Sequence, residues 1–136
     1  MEFLRSIMVA ATGLRAQSGR MRVISENLAN ADSTGNAPGA DPYRRKIPTF
    51  KTALDRELGA DTVRLGKIER DQSDSGTRYD PGHPAADAKG YVKLPNVNTM
   101  VEAMDFREAQ RSYEANLNLI TATRRMIDRT LDILRA

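Results

Sequence analysis

Phe3, Ile7, Ala10, Leu14, Gln17, Met21, Ile24, Leu28 and Ala31 advance alternately by four and three residues. Such stepping keeps a stripe on one side of an α-helix and forms the seam along which it packs lengthwise on another helix. Roughly 30 helical residues, rising about 1.5 Å each, make a rod about 45 Å long. The rod is not built to stand alone. Gly13 and Gly19 lie inside it, and each costs about 1 kcal/mol relative to alanine. Ala10, Ala11, Gly13 and Ala16 are small enough to let another backbone come close.

The C-terminal segment carries the same rhythm. Phe106, Tyr113, Ile120, Ile127 and Leu134 recur every seven residues, with Leu117 and Leu131 at two alternate positions and Gln110 and Arg124 at the others. Thr99, followed three residues later by Glu102, reads as a capping box opening a helix that runs to residue 136. A second stripe, Ala115, Leu119, Ala122, Met126 and Ile133, lies beside the first, offset by about 100° around the axis. One partner helix covers one stripe. The other needs a neighbouring molecule.

The sequence between the helices changes character. "DSTGNAPGADP" is a Gly/Pro/Asp-rich break. Phe50, Leu54 and Leu58 are spaced by four, which predicts a short helix over 49–58 ended by Gly59. "DTVRLGKIERDQ" and "KGYVKLPNV" read as short strands, the second limited by Pro95. The expected fold is mainly α. Long N- and C-terminal helices pair as an antiparallel-type coiled coil, with a small irregular or β-hairpin middle. Residues 1–31 and 99–136 then form one helical core domain and 32–98 a loop and short-strand excursion.

Chemistry finds little foothold. Cysteine is absent and His83 is the sole histidine, set among the turn formers Pro81, Gly82 and Pro84. A transition-metal site commonly needs several His or Cys ligands, and a serine nucleophile needs a base. Asp80 and Asp87 near His83, and Asp71 and Asp74, read as solvated or turn-forming carboxylates. "GADPYRRK" lacks the pattern of a phosphate loop. No catalytic residue, cofactor or metal is expected. The net charge of +3 comes from 21 basic and 18 acidic residues interleaved along the chain. The one basic cluster, Arg44-Arg45-Lys46, reads as a solvated loop, so no nucleic-acid partner is expected. The apolar run from Ile7 to Ala11 is shorter than a secretory core of about 7–15 residues or a membrane span of about 20. Direct membrane insertion is not expected, and any export would proceed without a cleaved Sec-type signal.

Three stretches resemble a known family. "ATGLRAQSGRMRVISENLANADS" (11–33) is similar to the N-terminal signature of bacterial flagellar basal-body rod proteins. "YDPGHPAADAKGYVKLPNVN" (79–98) and "SYEANLNLITATRRMIDRTLDIL" (112–134) resemble its proximal-rod members. The resemblance implies a structural subunit whose terminal helices pair and polymerise into a helical tube, the drive shaft that transmits torque across the periplasm. It implies export by the flagellar type III apparatus. The implied partners are other copies, the sibling rod proteins FlgB, FlgF and FlgG, and the rod–ring adaptor FliE. The alternative is a non-enzymatic adaptor or regulator that binds a single partner through the same helices.

On this reading the subunit-interface candidates are Leu14, Met21, Ile24, Asn27, Leu28 and Asn30 in the first helix. In the second they are Tyr113, Asn116, Leu117, Leu119, Ile120, Met126, Ile127, Ile133 and Leu134. Leu119, Met126 and Ile133 are assigned to contacts between molecules and Ile120, Ile127 and Leu134 to the pair within one, or the reverse. Leu28 and Leu117 each have asparagines beside them, Asn27 and Asn30, Asn116 and Asn118. Polar residues placed so can set register, as a buried Asn does in coiled coils.

Overall fold

The computed structural model describes residues 2–135. Its elements are α1 (Glu2–Ala29), β1 (Lys46–Asp55), β2 (Ala60–Arg70), β3 (Thr77–Tyr79), β4 (Tyr91–Lys93) and α2 (Thr99–Arg135). The helices, 28 and 37 residues long, account for about half the chain. A mainly α description is therefore too strong. Two long terminal helices are joined by two hairpins, β1–β2 and β3–β4.

Both inner helix ends are fixed by asparagines. At the end of α1, Asn30 Nδ2 donates back to the Glu26 carbonyl at 2.8 Å, and Asn30 Oδ1 accepts from the Ser33 hydroxyl at 3.0 Å. A side chain that takes a terminal carbonyl replaces the next helical turn. At the start of α2 the cap is Asn98, whose Oδ1 accepts from the Met100 and Val101 amides at 3.0 and 3.2 Å. The expected Thr99–Glu102 capping box does not form, because the Glu102 side chain is used elsewhere.

Over 49–55 the expected helix is a strand, and 56–58 lie in the turn that follows it. A spacing of four is even, so Phe50 and Leu54 share a face in an extended chain as well as in a helix. Ile47, Thr49, Phe50 and Thr52 favour the pleated form, and a long partner strand is available. Thr49 Oγ1 donates to the Lys67 carbonyl at 2.6 Å and Thr62 Oγ1 to the Ala53 carbonyl at 2.9 Å, an antiparallel pattern. The turn is set by Asp55, which accepts from the Glu57 and Leu58 amides, and by Gly59 at φ +59°.

The chain folds as two compact units. The first comprises Met1–Met21, Thr49–Lys67 and Arg107–Ala136. Here α1 and α2 run antiparallel. A Cβ added at Gly13 would stand 2.9 Å from Asn116 Nδ2, and seven residues on, Arg20 meets Glu108 at 3.2 Å. The buried residues are small: Ala10, Ala16, Thr62, Ala109 and Thr123. The hairpin leans on α1 as well, since a Cβ at Gly19 would lie 2.9 Å from Leu65 Cδ2. Each glycine thus opens room for a different neighbour. The α2 seam alternates Tyr113, Ile120 and Ile127 with Ala109, Asn116 and Thr123, while Gln110, Leu117 and Arg124 are exposed. Close approach of α1 favours the small side chains one position earlier.

The second unit comprises Arg22–Pro48 and Ile68–Phe106. Its buried apolar residues are Val23, Ile24, Ala85 and Val92. In the β3–β4 hairpin Thr77 pairs with Lys93, Arg78 with Val92 and Tyr79 with Tyr91. The two tyrosine rings meet edge to face at 5.3 Å. His83 closes the intervening turn: its Nδ1 accepts from the Ala85 amide at 3.0 Å and its own amide donates to the Asp80 carbonyl at 3.2 Å.

Candidate subunit interface and its polar anchor

In the second unit three distant stretches converge on Asn27, which is 0% exposed. Its Nδ2 donates to the Lys46 carbonyl at 2.8 Å and to Glu102 Oε2 at 3.0 Å. Its Oδ1 accepts from the Lys46 amide and the Tyr43 hydroxyl, both at 2.9 Å. A primary amide has two donor hydrogens and two acceptor lone pairs, and all four positions are used. Toward Lys46 the carboxamide bonds the N–H and C=O of one residue, as a neighbouring strand would.

Glu102 is the other pole, 1% exposed on α2. Its Oε1 accepts from Arg45 Nε, whose guanidinium also lies 3.7 Å from Asp71 and 3.6 Å from Asp105. A buried carboxylate is tolerable only when paired and hydrogen-bonded, and here both conditions are met. Burial works against the Arg45 charge. The hydrogen bond to Glu102 and the charges of Glu102, Asp105 and Asp71 outweigh it, and the guanidinium pKa is pushed up. The Arg45 backbone is held too: its amide donates to Asn96 Oδ1 and its carbonyl accepts from the Asp71 amide, both at 2.8 Å. Burial raises the Tyr43 hydroxyl above its usual range.

The basic cluster is therefore not a freely solvated loop. Arg45 is spent on the carboxylates, and Lys46 Nζ meets Glu26 at 2.8 Å. That hydrogen bond and the opposite charge hold Glu26 below the ordinary carboxylate range and raise Lys46. Arg45 and Glu102 were missed among the candidate residues. The signal emerges only with the observed seam, whose alternate positions Ala109, Asn116 and Thr123 extend back to Glu102, whereas the sequence pattern of Gln110, Leu117 and Arg124 extends back to Ala103. An acid at a seam position requires a partner.

The interface candidates divide by burial. Ile24 and Asn27 are buried inside the chain. Leu14, Met21, Leu28, Asn30, Tyr113, Asn116, Ile120 and Ile127 are half-buried. Leu117, Leu119, Met126, Ile133 and Leu134 are exposed. Asn116 Nδ2 donates to the Ser112 carbonyl at 3.0 Å, and its amide packs over Gly13. In the first unit Phe3, Leu4 and Met8 of α1 are exposed too. Large apolar side chains left in water on this scale commonly mark an interaction surface. Among the described residues no group of three or more His, Cys, Asp or Glu could hold a metal ion. Among them also, no helix is long and apolar enough to cross a membrane.

Comparison with known proteins identifies the assembly. Residues 7–37 match the family model "Flagella basal body rod protein", and residues 88–133 match "Flagellar basal body rod FlgEFG protein C-terminal". The flagellar basal-body rod protein FlgC of Agrobacterium fabrum is 52% identical over 128 residues, covering 94% of this chain and 92% of its own. FlgC of Borreliella burgdorferi is 41% identical, covering 99% of both chains, and that of Bacillus subtilis 38%, covering 98% and 99%. The chain belongs to the FlgC family of flagellar basal-body rod proteins. It is a structural component of the rod in the basal body, not an enzyme. The matched stretches include most of α1 and α2, which carry many of the exposed large apolar side chains.

Proposed function

We propose that the chain is a proximal-rod subunit that polymerises through its terminal helices and transmits torque as part of the drive shaft. The supporting observation is the outer stripe of α2, where Leu119, Met126 and Ile133 stay exposed while the neighbouring seam is turned toward α1. Burying one such side chain fully is worth about 1.5–3 kcal/mol, so several along one helix can outweigh the ordering costs of assembly. Segments 1–31 and 99–136 act in this reading as the polymerising core, paired as a coiled coil, with 32–98 as an excursion. Leu14, Met21, Leu28, Asn30, Tyr113, Asn116, Ile120 and Ile127 line or flank the pair. Leu117 and Leu134 join the outward contacts. The partners are other copies, FlgB, FlgF, FlgG and the adaptor FliE, in a periplasmic rod reached through the flagellar type III apparatus without a cleaved signal.

The test is Leu119→Asp, alone and with Met126→Asp. Both positions are exposed, so the purified variants should keep the parental circular dichroism spectrum and unfolding midpoint. In cells replacing the native gene they should abolish rod assembly and swimming, because an unpaired carboxylate would be buried between subunits. Normal motility with intact rods would overturn the assignment of this face.

A further inference from the structure

Of the basic cluster at 44–46, Arg44 is the member without a carboxylate. Arg45 is held by Glu102, Asp71 and Asp105, and Lys46 by Glu26. Arg44 reaches only the Asp71 carbonyl, at 3.4 Å. With Arg70 from the end of β2 it lines a pocket of about 400 Å³ in the second unit, whose other walls are Asp41, Pro42, Tyr43 and Lys46. Among the described residues neither Arg44 nor Arg70 forms an ion pair.

The acids nearby are already engaged. Asp41 meets Lys93 at 3.2 Å. The Asp71 carboxylate accepts from the Ser73 amide at 2.8 Å and lies 3.7 Å from Arg45. It is held below its ordinary range by Ser73 first, with Arg44 the smallest influence. Glu69 precedes Arg70 in β2, and successive residues of a strand point to opposite faces. The Arg70 charge is felt at the pocket wall: Glu26 raises the Lys46 ammonium against burial and the nearby Arg70 guanidinium.

Two guanidiniums left over on one concavity suit carboxylates, because each presents a planar fork that can bond both oxygens. Arg70 is exposed and Arg44 half-buried. Water and salt screen such charges, so a lone small ion would be held weakly. A chain bearing several carboxylates engages both guanidiniums together, the second contact forming at high effective concentration. Pro42 and Tyr43 add uncharged wall. We infer that this pocket binds an acidic segment of a partner protein, with carboxylates on Arg44 and Arg70. The inference goes beyond the polymerising role proposed above. It does not depend on the outer stripe of α2, since every lining residue belongs to the second unit.

The probe is a fluorescein-labelled octaglutamate peptide, titrated with the purified full chain and followed by fluorescence anisotropy. Binding should saturate and should weaken as salt is raised from about 0.05 to about 0.3 M. Arg44→Gln together with Arg70→Gln should weaken it on the order of tenfold. The circular dichroism spectrum should not change, because neither side chain holds an ion pair in the fold. The control is Arg124→Gln together with Arg125→Gln, exposed arginines of the first unit, which should leave binding nearly unchanged. Equal weakening by both pairs, or no saturable binding, would overturn the assignment. Should the Arg44 and Arg70 double variant lose helical content, Arg70→Gln alone must still weaken binding, and a parental affinity would overturn it. Inorganic phosphate, titrated alone by calorimetry at the same ionic strength, should give no saturable heat. Saturable phosphate binding that is lost with the same two substitutions would assign the pocket to a free anion and overturn the peptide as its occupant.

Discussion

The two compact units exclude water in opposite ways. The second is closed by polar side chains with their hydrogen-bonding positions filled: Asn27, Glu102 and Arg45 lock α2 to the first residue of β1. The first is closed by small residues, Ala10, Ala16, Ala109 and Thr123, with Gly13 and Gly19 leaving room for Asn116 and Leu65. Small residues bring helices together but remove little apolar area from water, while Leu119, Met126, Ile133 and Leu134 remain outside. The second unit is therefore held by its filled polar positions, although Met100, Val101 and Met104 of α2 are exposed there as well. In the function proposed above, the exposed face of the first is covered by what it assembles with.

The strongest way to break that comparison is to unpair the buried carboxylate. Arg45→Met removes the guanidinium and leaves Glu102 with only the Asn27 amide. Breaking a buried ion pair on one side costs about 3–5 kcal/mol, and urea unfolding of the purified chain should show a loss of that size. Glu102→Gln together with Arg45→Met should recover part of it, because no charge is then left buried. A loss for Arg45→Met below about 1 kcal/mol, the scale of an exposed pair, would mean that the network does not hold the second unit.

The same contrast decides what could be read in the sequence. The helices were legible because a seam repeating every seven residues is a local signal, and β2 and β4 followed from short β-favouring runs. β1 was not, since an even spacing of apolar residues suits helix and strand alike. The seam of α2 was misplaced by one residue at its alternate positions. Leu117 is the larger apolar side chain, but close approach to Gly13 selects Asn116. The Asn27 site was half legible. Its place beside the seam residue Leu28 marked it as register-setting, yet its partners lie at 43, 46 and 102, and nothing local in the chain announces that these meet.

In the first unit the effects should be smaller and should follow volume rather than charge. Gly13→Val forces branched carbon into the space held by the Asn116 amide, and overpacking of this kind costs about 1–3 kcal/mol. Gly13→Ala needs only the far end of Asn116 to shift and gains about 1 kcal/mol of helix propensity, so its unfolding midpoint should stay near the parent's. An equal loss for both would show that the helices are held rigidly in register here. Gln17 offers the opposite sign. Its Oε1 is buried without a hydrogen-bond partner, and an unsatisfied buried acceptor is a standing penalty. Gln17→Met, which keeps the length and removes the acceptor, should raise thermal stability by about 1 kcal/mol. A decrease would mean that the oxygen has a partner in solution.

The smallest effect is expected at the edge of the polar anchor, and it can be separated by pH. Glu26 titrates below its ordinary value because Lys46 bonds and attracts it, so its contribution is present above the unfolded value and disappears as pH falls through the lowered folded one. Lys46 titrates above its ordinary value for the same reason, so its contribution holds below the unfolded value and disappears as pH rises through the raised one. The pair therefore stabilises across a plateau from above about pH 4.3 to below about pH 10.4. Glu26→Gln should lower the midpoint slightly and evenly on that plateau and converge with the parent in strong acid, where both side chains are uncharged at position 26. Only the Lys46 ammonium is released by this change. The Lys46 backbone keeps both its bonds to Asn27, so the loss should be a small fraction of that for Arg45→Met. Comparable losses would shift the anchor of the second unit from the buried carboxylate to its surface rim.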